Sequence, residues 1–467
     1  TNLRRLFLAQ QNKPRAKRRK LSMSVRSELI YELEDRPPPI RSFFAALQHL
    51  FASFVGIVTP ALIIGGMLNL DAEIPYLVSM SLIASGIGTL IQSIQPFGIG
   101  AKMLCLQGTS FTFVGVIVSV GLSVKEAGGN STELLGLIFG LCMVGSCLQI
   151  ALSPFIPKLK NVITPLVTGI VVTSIGVSLI KVAMTDLAGG FNAVDFGSPF
   201  QLSLGMTVIL TVIVMNCSEN HWIRLSSILV GLAVGLICAF FLDELHLSDF
   251  DINTSISVPK PLLYGLDFDL LAFMPVAVIF LISSVETAGD ITANCSICRQ
   301  PVQGKGYLER VRRGVLADGV NSLISATLNS FPNTTFSQNN GVIQLTGIAS
   351  RHVGLYVGCM LIALGLVQGL GDILQAIPKP VIGGATMLMF GSVAAAGLGI
   401  LGGLELNRKE LMIIGISLGL GLGPTMVPGA LDQMPYLLKT LLGSAAATAG
   451  LTAILLHMLL PNAQKSG

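Results

Sequence analysis

The chain has 467 residues, of which 52% are hydrophobic and 12% charged, with a formal net charge of +4 and a mean hydropathy of +0.74. A soluble globular domain carries about 25% charged residues, so water is excluded as the main solvent of this chain. The positive balance sits largely in the first forty residues and gives no argument for a nucleic-acid partner.

Arg4, Arg5, Lys13, Arg15, Lys17, Arg18, Arg19 and Lys20 make residues 1–40 a basic polar run. No apolar signal region follows, so the run reads as a solvated cytoplasmic tail that could also touch anionic lipid heads, with Met23 a candidate start residue. From Phe44 to Met458 apolar stretches of about 20 residues, the length that crosses a bilayer, recur with short polar interruptions; about fourteen can be read. The 51 glycines suit close helix contact in lipid, where packing between small residues replaces the hydrophobic drive. The 8 cysteines are scattered through apolar segments and imply no disulfide framework. Cys295 and Cys298 form a C-x-x-C without a second ligand pair, so no metal or other cofactor is expected.

With the tail inside and helices alternating, loops after even-numbered segments should be cytoplasmic and basic. They hold Lys102, Lys158, Lys160, Arg224, then Arg299, Lys305, Arg310, Arg312 and Arg313, then Arg351, Arg408 and Lys409. The opposite loops carry Asp71, Glu73, Asp186, Asp195, Asp243, Glu244, Asp249 and Asp251. An even number of segments with both termini in the cytoplasm satisfies this bias.

The third segment is broken by Gly108-Thr109-Ser110-Phe111-Thr112 and the tenth by Asn333-Thr334-Thr335-Phe336-Ser337. Thr164 to Gly169 and Lys379 to Gly384 give a second echo, each opening a helix. Such matched interruptions point to a transporter built from inverted repeats, and seven segments per repeat, an odd number, inverts the halves. Non-helical backbone at membrane depth is tolerated only where it is buried in protein or lines a cavity. The β-prone breaks should therefore meet at the midplane, with the half-helices that follow aimed at a polar ligand. A simple kink without a ligand is the plainer alternative.

A charged side chain at the centre of a spanning helix costs about 2.5–3.5 kcal/mol on insertion scales, so intramembrane ionisable groups are functional candidates. In chain order these are Gln48 and His49 in the first helix, Glu286 and Asp290 four residues apart on one face of the eighth, and Asp318 in the ninth. Each also has a reading as a satisfied structural group. Gln338-Asn339-Asn340-Gly341 offers adjacent side-chain amides at a helix entry, a donor and acceptor pair that matches the edge of an oxidised purine or a pyrimidine; a capping loop is the alternative.

At these residues the chain resembles the nucleobase-ascorbate transporter family, and within it the bacterial xanthine permeases. The likeness runs from Ser27 to Pro38 onward over nearly the whole length. Gln338 to Gly347 is similar to the family's Q-N-x-G-x-x-x-x-T-G motif, Gln48-His49 to its first-helix pair, Glu286 and Asp290 to its eighth-helix pair, and Asp318 to its ninth-helix aspartate. The uracil-type members carry an acid where this chain has Gln338 and a histidine where it has Asp290, which favours a purine here.

The resemblance implies an all-α polytopic membrane protein of fourteen transmembrane segments in two inverted sevens, with short β-strands in segments three and ten. After the tail, residues 41–158 and 266–376 would form the two halves of a core domain, residues 159–265 and 377–461 those of a gate domain, and residues 462–467 a C-terminal tail. The protein would sit as a homodimer in the bacterial inner membrane, with both termini cytoplasmic. It would import xanthine with protons by an elevator motion, with uric acid the alternative substrate. Glu286 and Gln338 would hold the base, Phe111 would lie beside the ring, Ser110 would tune selectivity, and Ser337 and Asn339 would assist. His49, Asp290, Asp318 and Glu286 would be the proton-coupling candidates. An anion exchanger or channel on the same architecture would need a basic residue at the midplane. A membrane enzyme would need a metal motif or an activated nucleophile, and neither pattern is found in the sequence.

Overall fold

The computed structural model describes residues 29–461 apart from 157–163, 191–192, 243–256, 368, 370–372, 375–376, 405, 428 and 432. The basic run Arg4 to Lys20, the C-terminal residues 462–467, and Lys158, Lys160, Asp243, Glu244, Asp249 and Asp251 lie outside the described residues.

Helices α1 (Pro39–Met67) and α2 (Ile74–Ile94) lead into strand β1 (Gln107–Thr109) and the half-helix α3 (Val114–Glu126). Then come α4 (Ser131–Leu152), α5 (Pro165–Leu187), α6 (Pro199–Asn216) and α7 (Ser227–Phe241). The second half repeats the theme with α8 (Leu270–Ile297), α9 (Lys305–Thr327), strand β2 (Asn333–Thr335), the half-helix α10 (Ser337–Thr346) and α11 (Val353–Gly365). Helices α12 (Lys379–Gly402), α13 (Arg408–Met426), α14 (Tyr436–Gly443) and α15 (Ala445–Leu459) complete the chain.

Among the described residues 7 helices are long and apolar enough to cross a membrane, and α7, α11 and α15 are shorter apolar helices. This is fewer than the sequence reading of about fourteen, for physical reasons. Helix α13 opens on Arg408, Lys409 and Glu410, α9 carries Lys305, Arg310, Arg312 and Arg313, and α3 and α10 are short because a strand replaces their first turns.

Local chemistry sets the helix starts. Pro39, Pro165 and Pro199 each stand in a first turn, where the missing N–H costs nothing. Thr164 and Asp269 accept from the backbone N–H groups of Val167 and Ala272, and Asn130 forms a reciprocal capping box with Glu133.

Helix α12 lies along α5, α11 along α2, α9 along α4, α7 along α6 and α15 along α13. At the first seam a Cβ on Gly176 would run into the Ala394 backbone, and one on Gly397 into Thr173, so glycine permits the close approach. Helix α8 touches α4, α9 and α10 on one side and α5, α14 and α15 on the other.

The two strands pair antiparallel, Gln107 with Thr335, Gly108 with Thr334 and Thr109 with Asn333, and all six residues are buried. Ser110 N donates to Pro332 O at 2.9 Å and Phe336 N to Leu106 O at 3.0 Å, which extends the ladder at both ends. Each broken segment thus satisfies the other's backbone, the requirement for irregular chain away from water. The Phe336 ring lies over Gly108, where a side chain would collide with it.

The segment entering α1 straps the exit of α10. Ile30 N donates to Gly347 O at 2.7 Å, Ala349 N to Tyr31 O at 2.9 Å and Arg351 N to Leu33 O at 3.0 Å. Glu34 pairs with Arg351 at 2.9 Å and with Lys102 at 3.1 Å, so it touches both the entry to β1 and the exit of α10.

Candidate functional site

Residues four apart on a helix share a face, and on α8 this brings Glu286 and Asp290 to the crossing of the broken segments. Each acid meets a threonine from a different break. Thr112 Oγ1 donates to Glu286 Oε2 at 2.8 Å, and Thr335 Oγ1 donates to Asp290 Oδ2 at 3.0 Å. Hydrogen bonds to a charged group are worth about 1.5–3 kcal/mol net, comparable to the cost of placing the acid there.

Asp318 on α9 is fully buried, and Thr287 on α8 donates to its Oδ2 at 2.6 Å. Gln149 on α4 donates to the same oxygen at 3.3 Å, and Thr287 stands 3.2 Å from the Thr334 hydroxyl on β2. Asp318 therefore ties together α4, α8, α9 and the strand pair.

His49 is fully buried on α1 and lies against the Asn339 side chain. Asn339 Nδ2 donates to Leu104 O at 2.7 Å, fastening α10 to the chain that enters β1. Asn340 Nδ2 donates to Asp290 O at 3.3 Å. Two of the three adjacent amides are thus engaged with the protein, while Gln338 stands half-buried in the first turn of α10. Gln48 is buried beside His49 on α1. Ser337 is the first residue of α10, and its side chain lies outside what is described.

Ser110 precedes a tight turn, Phe111–Phe113, and its Oγ accepts from Thr112 N at 3.3 Å. The Phe111 ring meets Phe390 of α12 edge-on, with centroids 5.3 Å apart. Glu286 lines a cavity of about 10 Å³ with Thr168 and Val171 of α5, Val285 of α8 and Ile454 of α15. That is about the room of one water. A second, apolar cavity of about 20 Å³ lies between Val55 and Val58 of α1, Leu232 of α7 and Ile382 of α12. His49, Asp290 and Asp318 line neither cavity.

The structure thus gathers Glu286, Asp290, Asp318, Ser110, Phe111, His49 and Asn339 around the two breaks. Thr112 and Thr335 are expected from the sequence only as members of the breaks, and Thr287 and Gln149 not at all, yet these four side chains donate to the acids. Cys295 and Cys298 are free, buried thiols; Cys298 Sγ donates to Asn294 Oδ1 at 3.0 Å.

A family described as "Permease family" (Xan_ur_permease) matches residues 41–430. The chain belongs to this family, the nucleobase-ascorbate transporters. It is a multi-pass membrane protein. Xanthine permease XanP of Escherichia coli K12 is 43% identical over 447 residues, covering 94% of this chain and 96% of its own. Xanthine permease XanQ of the same organism is 43% identical over 440 residues, covering 93% and 94%. The transmembrane domain of a cyanobacterium bicarbonate transporter, BicA, is similar with a TM-score of 0.54 at 15% identity, over 82% of this chain and 95% of that one. At that identity the likeness is one of fold. In this nucleobase-ascorbate transporter the Q-N-x-G stretch opens α10 directly after β2, so the motif falls at the break itself.

Proposed function

We propose that the chain is a proton-coupled symporter that imports a purine base, xanthine before uric acid. The observation that carries this reading is the Glu286 carboxylate at the crossing of the broken segments, held by Thr112 one residue beyond Phe111. An anionic carboxylate accepts N–H donors in charge-assisted bonds, and the imide edge of an oxidised purine supplies them. Gln338 adds a donor and an acceptor from α10, and Phe111 offers an aromatic face or edge to the ring. Backbone N–H groups near Phe111 and Ser337 are further donors, Ser110 tunes the fit, and Asn339 holds α10 in register. The xanthine permeases named above support the choice of substrate class.

The cavity that Glu286 lines with α5 and α15 is too small for a base. Admission of a base therefore requires α8 to separate from these helices. This supports an elevator in which residues 41–158 and 266–376, the core, slide against residues 159–265 and 377–461, the gate. Fourteen segments in two inverted sevens, a homodimer in lipid, and cytoplasmic termini at residues 1–40 and 462–467 in a bacterial inner membrane complete the proposal. The proton is the coupling ion, exchanged among His49, Glu286, Asp290 and Asp318. One net positive charge moving inward gains about 2.3 kcal/mol per 100 mV, or roughly fiftyfold accumulation.

The bicarbonate transporter's fold favours an anion exchanger as the second reading. Against it, the carboxylates of Glu286 and Asp290 take the hydrogen bonds that Thr112 and Thr335 of the breaks donate. Uptake of radiolabelled xanthine and urate into cells producing the chain, with and without a protonophore, tests the proposal. Saturable xanthine uptake that the protonophore abolishes is expected. Uptake no greater than in cells lacking the chain would refute import, and uptake indifferent to the protonophore would refute the coupling.

A further inference from the structure

We propose that Thr112 is a positioning residue of the binding site, and that Ser110 acts on substrate choice through it. This rests on the reading of Glu286 as the acceptor of the base.

Thr112 is nearly fully buried, and its hydroxyl reaches across from the first break to Glu286 Oε2 at 2.8 Å. Its own backbone N–H is taken by Ser110 Oγ at 3.3 Å. The Ser110 hydroxyl thus caps the turn Phe111–Phe113 that aims Thr112. Ser110, Thr112 and Glu286 form one chain of hydrogen bonds running from β1 to α8. Phe111 is the first residue of that turn, and its ring rests on Phe390.

Two consequences follow from the chemistry. The carboxylate is presented to the base already oriented, because one lone pair is occupied and its rotation is stopped; less ordering remains to oppose binding. A threonine hydroxyl both donates and accepts hydrogen bonds, so it can donate one to anionic Glu286 or accept one from the neutral acid. Thr112 therefore keeps contact with Glu286 in either charge state, and carries that state into the turn that bears Phe111. Ser110 is almost fully buried and already engaged with Thr112 N, so a change there moves the turn and Glu286 together.

The test compares T112S, T112V and T112A by initial rates of radiolabelled xanthine uptake, each normalised to the amount of protein in the membrane, with E286Q as reference. T112V keeps the shape and loses the hydroxyl. We expect its KM for xanthine to rise about tenfold to a hundredfold, the scale of one hydrogen bond to a charged group, while T112S stays within a few-fold of the original. S110A should alter competition by urate in the original chain and have little further effect in the T112V background. Wild-type KM in T112V, with the S110A effect undiminished, would overturn the proposal. Should T112V fail to reach the membrane, the T112A and T112S pair reads the same KM difference. If E286Q itself transports normally, the underlying assignment of Glu286 fails; if E286Q is inactive and T112V unaltered, only the role of Thr112 fails.

Discussion

Thr287 donates its hydroxyl to Asp318 at 2.6 Å, joining α8 to α9 with neither residue exposed. Gln149 is the other donor to the same oxygen, at 3.3 Å. Removing the Thr287 hydroxyl takes the shortest hydrogen bond from a buried acid that then keeps only the amide side chains of Gln149 and Gln107, a loss of about 1.5–3 kcal/mol. Thr287→Val should lower the midpoint of thermal unfolding in detergent, and Thr287→Ser should not. Equal midpoints for the two variants would show that the pair adds nothing to the fold.

Glu286→Gln should abolish xanthine uptake while the protein stays in the membrane at its normal level. The amide presents one acceptor where the carboxylate has two, and it carries no charge to strengthen the bonds. Membrane amount by immunoblot, alongside uptake, separates this from a folding defect. Full uptake by the variant would remove Glu286 from the site.

Gln338 stands half-buried at the entry of α10 while Asn339 and Asn340 are engaged elsewhere. Gln338→Glu replaces a donor with an acceptor and should change which bases compete. Inhibition of labelled xanthine uptake by unlabelled xanthine, urate and uracil measures this. An unaltered order of inhibitors would count against a contact between Gln338 and the base.

Outside the membrane, burial pushes the Glu34 carboxyl up, but hydrogen bonds from Arg351 and Lys102 outweigh it and hold the group below the usual carboxylate range. A depressed folded value means that this contribution is present above the unfolded value and lost as pH falls through the folded one. Glu34→Gln should therefore lower the unfolding midpoint at neutral pH, with the gap to the original chain closing under acid conditions. A gap that persists or widens in acid would contradict the clamp between the strap and the exit of α10.

The two breaks and the acids beside them were legible in the residues. Gly108 and the Ser/Thr/Asn runs at Thr109 to Thr112 and at Asn333 to Thr335 announce irregular chain, and Glu286 and Asp290 stand out because acids are costly in apolar helices. The partners of the acids were not legible, and the reason is physical. A threonine in an apolar helix ordinarily returns its hydroxyl to the carbonyl one turn back, as Thr59, Thr173, Thr292 and Thr386 do here. Nothing in the spacing of Thr112, Thr287 or Thr335 distinguishes them from those, because their partners come from other segments. The strap at Ile30 to Glu34 was equally hidden. Its pairing with Gly347 to Arg351 joins distant stretches through backbone groups, which carry no sequence signal.

The measurement that bears most directly on the account is an experimental structure with xanthine bound. The account predicts the base between the half-helices α3 and α10, its N–H edge on Glu286, Gln338 on another polar edge and Phe111 against the ring. A base held elsewhere, for example in the apolar seam between α1 and α7, with Glu286 contacting only Thr112, would contradict it.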